Sequence, residues 1–131
     1  MQSPICQTVN LPAPAEQLFR MYLDPTLHAA LTGMDVLIGR EFGTEFQAFG
    51  GQLSGRMLAV IEPRLIVQSW RSTNFHSDDP DSILILCFSA VGDQGRIDLV
   101  HHNVPDQDYE GVANGWEKYY WKPWREYLEK Q

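Results

Sequence analysis

The chain changes its hydrophobic period near its end, and that change constrains the fold more than any other feature. Up to about position 103 the apolar residues alternate or run in short blocks, and from Pro105-Asp106 onward they recur at helical spacing. On a wheel of about 100° per residue centred on Trp116, Tyr109, Val112, Ala113, Tyr119, Tyr120, Pro123 and Tyr127 share its side. Glu117, Lys118, Lys122, Arg125, Glu126 and Glu129 lie opposite. Trp121 and Leu128 fall about 120–140° from the centre of the stripe, among the charged side chains. Pro123 has no N–H to give the Tyr119 carbonyl, so a kink is expected there. A long terminal helix thus carries an aromatic stripe that the preceding strands must bury.

Those strands are legible. Residues 4–11 read as a strand, ended by Pro12 and Pro14. Pro14 suits the first position of a helix with Glu16 in its first turn. A second short helix has Asp24 as N-cap, Pro25 at its first position and Gly33 as its stop. Strands are then expected at 34–39, 44–49, 52–61, 65–72, 82–91 and 95–103, with short turn-rich separators that favour antiparallel neighbours. This order predicts an α+β helix-grip fold: a curved antiparallel sheet wrapped around a long C-terminal helix, with two short helices after the first strand. The 131 residues read as one domain, 1–131.

Charge removes whole classes of partner. Lys and Arg number 10 against 17 Asp and Glu, a net charge of −7, which gives phosphate backbones and anionic membranes nothing to hold. No stretch approaches the roughly 20 apolar residues of a membrane helix, and Met1-Gln2-Ser3-Pro4 has neither the basic nor the apolar part of a signal peptide. A cytoplasmic protein is expected. Cys6 and Cys87 show no zinc spacing, and the glycines at 39–43 and 50–51 match no phosphate loop. Asp78, Asp79 and Asp81 lack the remainder of a calcium loop and read as a solvated turn. No metal or cofactor is expected.

An ordered set of short motifs adds a resemblance. Leu53-Ser54-Gly55-Arg56, Ile61-Glu62-Pro63, Ile66-Val67-Gln68-Ser69-Trp70-Arg71, Val104-Pro105 and Gly115-Trp116-Glu117-Lys118-Tyr119-Tyr120 follow one another from one end of the chain to the other. Together the set resembles the START-like (SRPBCC, Bet v-like) superfamily. Within it, the chain is similar to the C-terminal domain of the activators of the heat-shock-protein-90 ATPase, the Aha type. The resemblance implies a cavity between sheet and helix that holds a small apolar ligand. It also implies a heat-shock-protein-90-type chaperone as an alternative partner, in a stress response. Family activators carry a separate N-terminal docking domain. No such sequence precedes Pro4, so weak or no stimulation of the chaperone is expected from this chain alone.

The candidate cavity residues come from strand alternation. Ile97, Leu99 and His101 share the face opposite Arg96 and Asp98, which points His101 inward. It could orient a ligand or serve as general base in a hydrolase, cyclase or dehydratase. The plainer alternative is a core histidine satisfied by a neighbouring hydroxyl. Ile66, Gln68 and Trp70 share a face, so Gln68 either lines the cavity or is simply hydrogen-bonded in the sheet. Leu84, Leu86 and Phe88 face in, leaving Ile83, Ile85 and Cys87 outward. Trp116, Tyr120 and Trp124 complete the candidate lining from the helix, either filling the core or facing a ligand. Outward Ile83 and Ile85, with Trp121 and Leu128 on the charged side of the helix, point to self-association as a two-fold homodimer.

Overall fold

The computed structural model describes residues 3–131. Strand β1 (Ile5–Leu11) leads into helices α1 (Ala15–Leu23) and α2 (Pro25–Thr32). Six strands follow: β2 (Val36–Leu37), β3 (Glu45–Ala48), β4 (Leu53–Ile61), β5 (Leu65–Ser72), β6 (Ser82–Val91) and β7 (Gln94–His102). The terminal helix comprises a 3-10 turn at Asp106–Asp108, α3 (Tyr109–Trp116), a π-helical turn at Glu117–Trp121 and α4 (Lys122–Glu129). The strands form one antiparallel seven-stranded sheet in the order β1-β7-β6-β5-β4-β3-β2. This is the helix-grip arrangement that the order of elements predicts.

Register puts the expected face inside. Gln68 pairs with Leu84, Leu84 with His101 and His101 with Ile5. One row over, Ile66, Leu86, Leu99 and Gln7 align. On the outer face Val67, Ile85 and Val100 align in the same way, half-buried, without a covering element among the described residues. At Gly55 the sheet tolerates no side chain at all, because a Cβ would lie 1.9 Å from the Ser69 carbonyl oxygen. Further along the same pair, the register shifts by one residue between Met57 and Ala59.

The first helix begins one residue later than the proline rule suggests. Pro14 keeps an extended ψ of 149° and caps the helix, its carbonyl accepting from Gln17 and Leu18. Helix α2 follows its punctuation: the Asp24 carboxylate accepts from the N–H groups of Thr26 and Leu27, and Gly33 closes it at φ 83°.

The terminal helix departs from the wheel in an instructive way. Instead of a sharp bend at Pro123, the turn before it widens, and Lys122 N–H bonds to the Glu117 carbonyl five residues back. The wide turn holds one extra residue, so everything beyond it lags the α-helical wheel by about 100°. Trp121 and Leu128, expected among the charges, are therefore 4% and 8% exposed and belong to the core. Tyr119, expected in the stripe, is 48% exposed. Trp116, Trp121 and Trp124 stack in sequence, their ring centres 5.5 and 6.3 Å apart. With two of its four anchors buried within the chain, the case for a homodimer through the terminal helix is withdrawn.

Gln7 of β1 spans the wide turn. Its amide N–H donates to the Ala113 carbonyl at 2.8 Å, and its Oε1 accepts from Trp121 Nε1–H at 2.8 Å. The Ala113 carbonyl needs this donor because Glu117 N–H, its partner in a regular helix, turns to Asn114. Gln7→Leu keeps the bulk and removes both bonds, and urea melts should show a loss of about 1–3 kcal/mol. Trp116→Ala, which empties the first ring of the stack, should lose about 3–5 kcal/mol. A loss below about 1 kcal/mol there would mean that the stack does not hold the helix down.

Candidate functional site

A cavity of about 440 Å³ opens between α3, the turn after β3 and the ends of β4 and β5. Its walls are aromatic: Phe49, Trp70, Trp116, Tyr119 and Tyr120 all line it. Its space comes from the helix. Gly111 and Gly115 stand one turn apart on the cavity side of α3, where any other residue would project a side chain. A Cβ on Gly115 would make only ordinary contact, 3.6 Å from the Tyr119 ring. Glycine inside a helix costs about 0.5–1 kcal/mol relative to alanine. Phe49 adds to this cost: it holds a left-handed φ of 53°, which a bulky side chain rarely adopts. Its ring packs edge-on against Tyr119 and Tyr120, at 5.6 and 5.9 Å.

Of the residues singled out by alternation, Trp70, Trp116 and Tyr120 line this cavity. Gln68, Leu84, Leu86, Phe88, Leu99, His101 and Trp124 are all buried, but in the packed core beside it rather than on its wall. His101 is 1% exposed, and both of its nitrogens are engaged. The Ser82 hydroxyl lies 2.7 Å from the Trp70 carbonyl, which can only accept, so its proton points there. Ser82 Oγ therefore accepts from His101 Nε2–H at 2.8 Å, and His101 Nδ1 accepts from Trp116 Nε1–H at 3.3 Å. Burial, with His102 adding to it, pushes the His101 pKa down to about 3.

A second histidine was invisible in the sequence. His28 on α2 is fully buried, with Nδ1 2.6 Å from the Tyr22 carbonyl and Nε2 2.9 Å from the Tyr120 hydroxyl. The carbonyl fixes the proton on Nδ1, so Tyr120 must donate to Nε2. Tyr22 in turn donates to Gln68 Oε1 at 2.5 Å. Burial lowers His28 to about 4, partly offset by its bond to Tyr22, and raises both tyrosines. The network is neutral throughout. Only an inward-facing aromatic partner distinguishes His28 from a surface helix residue, and no local pattern supplies that. The glycine pair in α3 was the legible signal for the cavity.

The third polar group is Asp108, 6% exposed at the start of the terminal helix. Ser72 donates to its Oδ2 at 2.6 Å and Asn74 to its Oδ1 at 3.2 Å, which ties the helix to the end of β5. Three buried donors find no acceptor among the described residues: Gln68 Nε2, Trp70 Nε1 and Trp124 Nε1. His76, Asp78 and Asp79 bring their ligand atoms within 4.8 Å of one another, in a turn where Asp79 already accepts from His76 N–H and Gln107. Among the described residues no helix is long and apolar enough to cross a membrane.

The neutral histidines give a pH expectation with a definite sign. Both are held below the ordinary value of 6.5, so the unfolded chain binds protons that the folded one refuses. Their contribution is complete above pH 6.5 and is lost as pH falls toward 4 and then 3. The full slope is about 1.4 kcal/mol per pH unit for each histidine. The carboxylates with lowered pKa, Asp79 and Asp98, start from 3.8 and so act at lower pH. Urea melts at pH 7 and pH 5 should therefore differ clearly, and equal stability at the two would show that these histidines are not held neutral.

Comparison with known proteins places this geometry. The family described as Activator of Hsp90 ATPase homolog 1-like protein matches residues 12–129. The crystal structure of an HSP90 activator from Plasmodium falciparum is similar at a TM-score of 0.89 and 22% identity, over 98% of this chain and 97% of that one. The mouse activator of 90 kDa heat shock protein ATPase homolog 2 is 24% identical over 138 residues, 97% of this chain and 41% of its own length. An activator homolog from Dictyostelium discoideum is 28% identical over 90 residues, 68% of this chain and 23% of its own length. The chain thus spans less than half of either curated relative.

Proposed function

The chain belongs to the activator of Hsp90 ATPase homolog 1-like family of START-like domains, and from that premise we propose that it binds a small, mainly apolar ligand in the cavity under its terminal helix. One observation carries the reading. A half-open pocket of about 440 Å³ stands among aromatic rings at the edge of the core, with two helical glycines in its wall. Ligand pockets commonly measure about 300–1,000 Å³ and combine apolar walls with a few polar tips.

A second reading has the relatives' names behind it: contact with a heat-shock-protein-90-type chaperone, tested by the chaperone's ATPase rate with and without the purified chain. A hydrolase, cyclase or dehydratase using His101 as base finds less support, because neither ring nitrogen is left for a substrate.

The neutral dye N-phenyl-1-naphthylamine tests the ligand reading. It should brighten on binding to the native chain. Gly111→Leu with Gly115→Leu fills the space and should weaken that binding at least about ten-fold. The melting midpoint should hold or rise, since leucine is the better helix former. A dye that ignores the native chain, or binds the filled variant equally well, ends the reading.

A further inference from the structure

Which ligands the cavity takes is a separate question that rests on the ligand-binding reading. We propose that it selects organic cations, protonated amines on an apolar or aromatic body, with the ammonium seated against Asp108. A carboxylate almost never lies fully buried without a positive partner. Asp108 is 94% buried by its 6% exposure, and no Lys, Arg or His lines the cavity it faces among the described residues. Its two bonds come from neutral donors, Ser72 and Asn74, and each carboxylate oxygen keeps accepting capacity. The Lys118 ammonium stands 5.2 Å over the ring of the wall residue Tyr119, but Lys118 itself lines the groove on the β1 side of the helix.

Two further features agree with a cationic guest. Gly111 leaves Asp108 open, since a Cβ there would stand 3.4 Å from Oδ1. The walls are π-faces and edges of five aromatic residues, and π-faces attract cations. An anionic ligand meets the opposite: a second negative charge beside Asp108 with no cation to balance it. The acidic surface of the whole chain, net −7, draws cations toward the mouth.

Four probes that share one ring system test this. They are 2-(aminomethyl)naphthalene, 2-(hydroxymethyl)naphthalene, 2-methylnaphthalene and 2-naphthoic acid, titrated at pH 7 with tryptophan fluorescence as readout. The amine should bind about ten-fold or more tighter than the methyl compound, and the acid weakest. Raising the salt should reduce the amine's advantage, and Asp108→Asn should remove it while leaving the methyl compound unchanged. The ranking on the native chain decides even if the variant does not fold. If the amine binds no tighter than the methyl compound, or the acid binds best, the cation inference fails and the ligand reading stands. If the alcohol binds best, the unpartnered Trp70 indole N–H rather than Asp108 sets the preference, and the inference again fails. If none of the four binds, the ligand reading falls with it.

Discussion

The wide turn at Glu117–Trp121 is the feature on which the rest of the structure depends. A proline in mid-helix removes one hydrogen bond and crowds the preceding turn. Here the backbone relaxes over a whole turn before Pro123, and the extra residue rotates the second half of the helix against the first. Without that rotation, Trp121 and Leu128 face solvent and Trp124 sits at the edge of the stripe. With it, Trp116, Trp121 and Trp124 form one stack over the sheet. Gln7 makes the arrangement affordable by satisfying the carbonyl at one end of the turn and the indole at the other. A single glutamine on an edge strand thus holds both sides of the turn that sets the phase of the last helix.

Rotation also divides the helix into two unlike halves. Beyond the turn, large rings fill the space down to the sheet, and Trp124 is wholly buried. Before it, Gly111 and Gly115 face the cavity and contribute no side chain to its wall. A helix that were aromatic along its whole length would close the cavity, and one that were small throughout would lose its hold on the sheet. The site exists because anchoring and vacancy are assigned to different turns of one element. The strained Phe49 completes it from the opposite side, where three successive residues, Phe49, Gly50 and Gly51, all have positive φ.

The sheet, its inward face and the order of elements were legible because each follows from short-range pattern: alternation places Leu84 against His101 as surely as it places Ile85 outward. The motifs that carry the family resemblance lie on those same elements. The helix phase was not legible, because an α-helical wheel assumes a constant rotation per residue, and Pro123 announces a disturbance without saying which way the chain resolves it. The interior polar network was not legible either. His28 meets Tyr120 across 92 positions of sequence, and Gln7 meets Trp121 across 114. His101 was placed on the correct face, but its use was decided by Ser82 and Trp116. The alternation rule overreached in treating every inward residue as cavity wall, when Leu84, Leu86, Phe88 and Leu99 are packed in the core and the aromatic cavity lies at the β3–β5 end.

The two histidines perform one task at neighbouring turns of the terminal helix, and the task explains why both are neutral. Each receives a proton from a ring of the terminal helix, Trp116 into His101 and Tyr120 into His28. Each passes its own proton to the scaffold, to Ser82 and to the Tyr22 carbonyl. A charged imidazole has two N–H groups and no lone pair, so protonation of either would break the bond to the helix and set two donors face to face. Lysine or arginine could not replace them, since neither can accept. Asparagine or glutamine could both donate and accept, but without the flat ring that packs at 4.7 Å from Trp70 or 5.4 Å from Tyr120. Neutral imidazole is the side chain that supplies a donor, an acceptor and an aromatic face at once, and in both places its ring packs against an aromatic residue of the cavity wall.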